Sequence, residues 1–243
     1  MMGLGMRGRV WRPQLEALLA CHRVLWFDHR GLGQSEGPPP PNLRGHAADL
    51  VELLEELHWP RAHLAGVSMG GMIAQELALG WGGRWRSLAL LITSPGGPLH
   101  WVPPARGLLR LLRVARARTP EARNAALDRL LFPDAHRDTL PPERLAQRHA
   151  DLTPPPPDEV VRRQVAAVRA HRAWDRLPRL CLPTLVIQAG SDRLVSPRHS
   201  AALARRIPGA RLLCIPEAGH GLLFQCAAQV NDALMGHFAE HEG

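Results

Sequence analysis

Residues 62–77 constrain the fold more than any other part of the chain. An apolar run, Ala62-His63-Leu64-Ala65-Gly66-Val67, leads into Ser68-Met69-Gly70-Gly71, and Met72-Ile73-Ala74-Gln75-Glu76-Leu77 continues as a helical pattern. The run before the serine reads as a strand. Glycines two residues before and two residues after Ser68 let that strand and the following helix approach without Cβ clashes. Ser68 therefore sits in a tight, strained turn. Its hydroxyl projects past the end of the strand, beside the positive end of a helix dipole. A unit of this kind needs a sheet to belong to.

Four further stretches read as strands: residues 22–28, 87–93, 184–189 and 210–215. Most are apolar throughout, as strands covered on both faces must be. Helical patterns lie between them. Leu50, Leu53, Leu54 and Leu57 fall on one stripe, and Leu223, Ala227, Val230, Leu234 and Phe238 fall on another. The alternation predicts an α/β fold, a mostly parallel sheet with helices on both faces. Residues 98–180 break the rhythm. They carry no convincing strand, and helical patterns recur near 105–118, 120–131, 142–150 and 158–172, with Pro154 to Pro157 as a stiff break. The reading is a core of residues 1–97 and 181–243 with a helical lid, 98–180, inserted between two strands.

A serine alcohol is a poor nucleophile at neutral pH. It needs a base, and the base needs an acid to orient it. The fourth strand candidate ends in Gly190-Ser191-Asp192, and the fifth is followed by Glu217-Ala218-Gly219-His220-Gly221. Asp192 and His220 thus lie just past the carboxyl ends of strands, where ligands of open α/β sheets gather. The order Ser68, Asp192, His220 is the one expected for this type of turn. Asp175 and Asp232 are off the strand ends and compete weakly for the acid's place.

A second glycine pattern competes for attention. Gly3-Leu4-Gly5-Met6-Arg7-Gly8 matches a dinucleotide fingerprint, with Asp28 in reach as the ribose ligand. That fingerprint needs a strand running into the first glycine, and only Met1 and Met2 precede it here.

Taken together, the loops resemble those of the α/β-hydrolase family. Phe27-Asp28-His29-Arg30-Gly31-Leu32-Gly33-Gln34-Ser35 is similar to the family's D-x-R-G-x-G-x-S loop, Gly190 to Val195 to its acid loop, and Ala218-Gly219-His220 to its histidine loop. The resemblance covers nearly the whole chain. It implies Ser68 as nucleophile, His220 as base and Asp192 as its orienting acid. Met2-Gly3-Leu4-Gly5, then Trp11, resembles the family's oxyanion loop, with Met2 where histidine is common. That match implies the Leu4 and Met69 N–H groups as oxyanion donors, and it makes Asp28 a structural loop residue. It also implies strands ahead of Gly3, so the natural polypeptide is expected to start roughly 20–30 residues earlier, about one or two strands' worth. Serine at position 68 disfavours the family's haloalkane dehalogenases and epoxide hydrolases, which carry aspartate there. The stretch from Gly66 to Ile73 looks like esterases and 3-oxoadipate enol-lactonases. The resemblance therefore implies a small-molecule carboxylic ester or lactone as substrate. Two other readings stand beside it: a non-hydrolytic relative acting as a ligand-binding module, and the dinucleotide-dependent oxidoreductase.

Composition narrows the partners. All 30 basic residues are arginine, so no Walker A lysine and no Schiff-base lysine exists. Of the net charge of +8, most falls in residues 101–180, which hold 16 Arg against 9 Asp and Glu. No nucleic-acid motif accompanies that charge, so no nucleic-acid partner is expected. An anionic substrate would suit an arginine-rich lid. Arg106, Arg110, Arg113 and Arg116 form one helical stripe and Leu108, Leu109 and Leu112 another, read as a lid helix with a solvated arginine face. No apolar run approaches the roughly 20 residues of a membrane span, and no signal peptide is visible. A cytoplasmic protein without a membrane partner is the expectation. Cys21, Cys181, Cys214 and Cys226 lack metal-ligand spacing and read as small buried hydrophobes. His237 and His241 read as part of a solvated tail. No metal and no organic cofactor is expected.

Overall fold

The computed structural model describes residues 1–97, 104–137 and 141–242. The first residues of the predicted lid, 98–103, lie outside the described residues, as does the side chain of Arg106. The elements run α1 (Arg12–Leu19), α2 (Leu43–Glu56), β1 (Ala62–Val67), α3 (Met69–Gly80), β2 (Trp85–Leu91), α4 (Ala105–Arg116), α5 (Pro120–Leu131), α6 (Asp134–Arg137), α7 (Pro142–Leu152), α8 (Asp158–Ala170), β3 (Thr184–Ala189), α9 (Pro197–Arg206), β4 (Arg211–Ile215), α10 (Leu222–Gln225) and α11 (Ala227–Ala239).

The strands pair in the order β1-β2-β3-β4, all parallel. Alternate residues of the central strands face opposite ways. Leu88, Leu90 and Val186 pack with α2, α3 and α9, while Ala89, Leu91, Leu185 and Ile187 pack with α1, α10 and α11. Leu88, Leu90, Leu91, Val186 and Ile187 are fully buried. Each contributes about 1.5–3 kcal/mol on leaving water. The sheet is thus covered on both faces, which is why its strands read as unbroken apolar runs. The end of the inserted segment belongs to this core: Ala173, Leu177 and Leu180 pack beneath α3 and α9.

Residues 22–28 do not form a strand. A strand is defined by a ladder of exchanged hydrogen bonds, and among the described residues no strand pairs with this segment. Met1 pairs with β1 instead: its amino group donates to Ala65 O at 2.7 Å and its carbonyl accepts from Val67 N at 3.1 Å. Beyond Met1, a cavity of about 310 Å³ separates Val24, Leu25 and Phe27 from Ala62, Leu64 and Ala65.

Three other expectations are corrected. Cys21, Cys181 and Cys214 are exposed, and only Cys226 is buried. Cys214 lies on the sheet's edge strand β4, and Cys21 and Cys181 lie in connections between elements, where small apolar side chains meet no core. His237 is no tail residue: it is buried where α11 crosses the sheet, and its Nε2 bonds Leu88 O at 3.1 Å. Burial lowers its pKa to about 4. On α4, Leu108, Leu109 and Leu112 face solvent, and Arg110 turns inward to the Arg129 carbonyl and Asp134. A guanidinium facing carbonyl and carboxylate oxygens outweighs leucine burial there.

One buried charge ties the inserted segment to α3. Glu76 accepts from Arg176 through both carboxylate oxygens, at 2.9 and 2.5 Å, and lies 3.2 Å from His171 Nδ1. Burial pushes its pKa up, but His171 and Arg176 beside its carboxylate together outweigh burial and hold it at about 2. Because the folded pKa lies below the ordinary glutamate value, the stability gained is present above about pH 4.5 and is lost as pH falls toward 2. Removing one partner of a buried pair costs about 3–5 kcal/mol. The Arg176 side chain is 40% exposed, which screens this pair. Glu76→Gln is therefore expected to cost about 1–3 kcal/mol at pH 7. It should also flatten the fall in thermal midpoint between about pH 5 and pH 2, as read by scanning calorimetry.

Candidate active site

Ser68 caps α3 at the carboxyl end of β1 with φ +55° and ψ −118°, a conformation that non-glycine residues adopt only under constraint. The constraint is visible. Ser68 N donates to Leu91 O on β2 at 2.9 Å, and Ser68 O accepts from Thr93 Oγ1 at 2.6 Å and from the N–H groups of Gly71 and Met72. A Cβ on Gly66 would lie 2.3 Å from Gly70 O, and one on Gly70 would lie 2.3 Å from Met1 O. The glycines flanking Ser68 are thus required by backbone contact.

Asp192 follows β3 and is buried. Its Oδ1 accepts from Leu194 N at 2.7 Å and Val195 N at 3.0 Å, an Asx-type turn that fixes the carboxylate. Its Oδ2 lies 2.7 Å from His220 Nδ1. An ionised carboxylate only accepts, so Nδ1 carries a proton, and in the neutral imidazole Nε2 then presents a lone pair. The loops holding the two side chains are joined. Gly190 N donates to Ile215 O, and Ser191 N donates to Ala218 O, each at 2.9 Å. Gln225 clips the histidine loop by accepting from Gly219 N and donating to Glu217 O, both at 2.8 Å. Gly221 N donates to Leu131 O at the end of α5, so the inserted helices brace this loop.

The structure therefore brings Asp192 and His220 into direct contact and puts Ser68 at the same, carboxyl end of the sheet. Among the described residues, no hydrogen bond joins Ser68 to His220. Such bonds are often loose before substrate arrives. Leu4 lies in the loop beside the serine: a Cβ on Gly3 would stand 3.3 Å from Ser68 Cβ and 3.7 Å from Oγ. Met69 opens α3, so its N–H is one of the helix's unclaimed donors.

Asp28 bonds within the fold. Its Oδ1 accepts from Gly8 N at 2.7 Å, so the third glycine and the supposed ribose ligand of the dinucleotide pattern satisfy each other. The reading from sequence alone missed two residues. His29 is buried with Nε2 3.2 Å from Met2 O, and burial, then His46, lowers its pKa to about 3. The neutral ring donates to that carbonyl and steadies the start of the loop. Its signal was its place beside Asp28. The other is Gln164, a polar residue at the centre of the buried face of α8. Among the described residues, His22, His63 and Glu242 bring potential ligand atoms within 4.8 Å of one another. They line the cavity beside β1, where His22 Nε2 lies 2.9 Å from a Glu242 carboxylate oxygen.

Comparison with known proteins bears on the family. Residues 2–226 match the family model described as alpha/beta hydrolase fold. A protein of Azorhizobium caulinodans whose name proposes a carbamate hydrolase, RutD, is 32% identical over 98% of this chain and 89% of its own. A solved hydrolase from Pseudomonas aeruginosa is 31% identical with a TM-score of 0.82, covering 98% of this chain and 87% of that one. The enol-lactonase of Burkholderia xenovorans is 26% identical with a TM-score of 0.82, covering 98% and 89%. The chain belongs to the α/β-hydrolase fold family.

Proposed function

We propose that the chain is a serine hydrolase that cleaves a carboxylic ester or lactone through an acyl-enzyme. The observation that carries the reading is the 2.7 Å contact of His220 Nδ1 with a buried, backbone-anchored Asp192, at the carboxyl end of the sheet that also presents Ser68. His220 Nε2 takes the Ser68 proton as Oγ attacks the acyl carbon. Asp192 holds the ring in the required tautomer and stabilises the imidazolium. The Leu4 and Met69 N–H groups donate to the oxyanion, and His220 returns the proton to the leaving oxygen. Water, activated by the same imidazole, then releases the acid. The enol-lactonase likeness supports a lactone. The relatives' name supports a second substrate reading, a carbamate, whose reacting carbon is also acyl and would meet the same groups.

A fluorophosphonate probe tests the chemistry before any substrate is known. The expected result is one covalent adduct, mapped by peptide mass spectrometry to Ser68, together with turnover of p-nitrophenyl acetate. Absence of an adduct, with a small ester bound but not cleaved, would favour a ligand-binding module and defeat the reading.

A further inference from the structure

The proposed oxyanion loop is hydrogen-bonded to the inserted helices through the Gln164 side chain. Residues 3–6 form a tight turn closed by Met6 N donating to Gly3 O at 3.1 Å, with Gly5 at φ +68°. A positive φ at the third position is the type II pattern, which fixes which way the middle peptide, Leu4–Gly5, points. Its N–H does not face water. It donates to Gln164 Oε1 at 2.8 Å. Gln164 lies on α8, between Val160 and Ala167 on the buried face, and is fully buried. A leucine would be ordinary at that position. Burying an amide there is costly, and its Nε2 has no partner among the described residues. The oxygen, not the nitrogen, is the end in use.

The surroundings bear on the same turn. A Cβ on Gly5 would stand 3.1 Å from Pro156 and 3.8 Å from Val161, so the start of α8 and the turn before it press on the loop. Just after the loop, Arg12 pairs with buried Asp151 at 3.0 Å, and Arg9 Nε donates to Asp151 O at 3.2 Å. The inserted segment thus grips the chain at Gly5, directly after Leu4, and again at Arg9 and Arg12. From this we infer that Gln164 is a positioning residue. By accepting the Gly5 N–H it locks the peptide plane next to the Leu4 donor, and so couples seating of the inserted helices to a formed oxyanion hole. The inference rests on the serine hydrolase reading above.

Gln164→Leu removes the acceptor while keeping an apolar fill for a buried helix face, and Gln164→Glu keeps an oxygen at the same reach. Two readouts separate the latch from the chemistry. The first is backbone amide exchange of residues 3–6. It should rise at least about tenfold in Gln164→Leu and stay near the parent rate in Gln164→Glu. The second is the kinetics of p-nitrophenyl acetate. A misplaced oxyanion donor should lower kcat about 10–100-fold in Gln164→Leu and change KM less than about threefold, because that donor acts on the transition state. Unchanged exchange, or an unchanged kcat with Ser68 still labelled by the fluorophosphonate, overturns the latch and leaves the hydrolase reading standing. If the parent chain does not label at all, the hydrolase reading fails, and the exchange rates alone then decide whether Gln164 holds the loop.

Discussion

Ser68→Ala should lower kcat for p-nitrophenyl acetate by about 10⁴–10⁶-fold, with KM changed little and the fold intact. The size follows from what is lost. Without Oγ no acyl-enzyme forms, and His220 has no proton to take. The oxyanion donors and substrate binding remain, so activity should settle above the uncatalysed rate, not at it. Stability should hold, because the turn is fixed by backbone bonds from Ser68 N and O that alanine keeps. Steady-state kinetics and a thermal melt on the same preparation check both halves. Retention of more than about a tenth of the activity would remove Ser68 from the chemistry, since no uncatalysed route is that fast.

The legible part of the fold was the part governed by local pattern. β1 and β3 have the expected bounds because both lie between covering helices, so burial on two faces leaves an apolar run with clear ends. Residues 22–28 carry the same apolar signal and form no strand, because hydrogen-bond pairing is a property of the neighbour and not of the run. The leucines of α4 failed similarly: amphipathicity marks two faces but does not say which one turns inward when Arg110 finds oxygens there. At the site, Asp192 and His220 were readable because the position just past a strand end carries geometric meaning. Gln164 was not readable. It lies 159 residues from Gly5 in sequence, and only the docking of α8 against the loop makes its oxygen useful.

Asp192→Asn should lower kcat by about 10⁴-fold while leaving the thermal midpoint nearly unchanged. Asparagine fits the same space, and its single carbonyl oxygen can still accept from Leu194 N and Val195 N, which together anchor the loop. That choice turns the side-chain NH₂ toward His220 Nδ1, where Oδ2 now sits at 2.7 Å. Two donors cannot share the contact, so the neutral imidazole must present Nδ1 as an acceptor and carry its proton on Nε2. In that tautomer Nε2 cannot take the Ser68 proton. The ring also loses the carboxylate that stabilises its charged form. Binding contacts are untouched, so the loss should fall on kcat and on the fluorophosphonate labelling rate together, with KM steady. A loss smaller than about tenfold would mean that another group sets the tautomer, and Asp192 would then be a structural partner of His220 and not the acid of the relay.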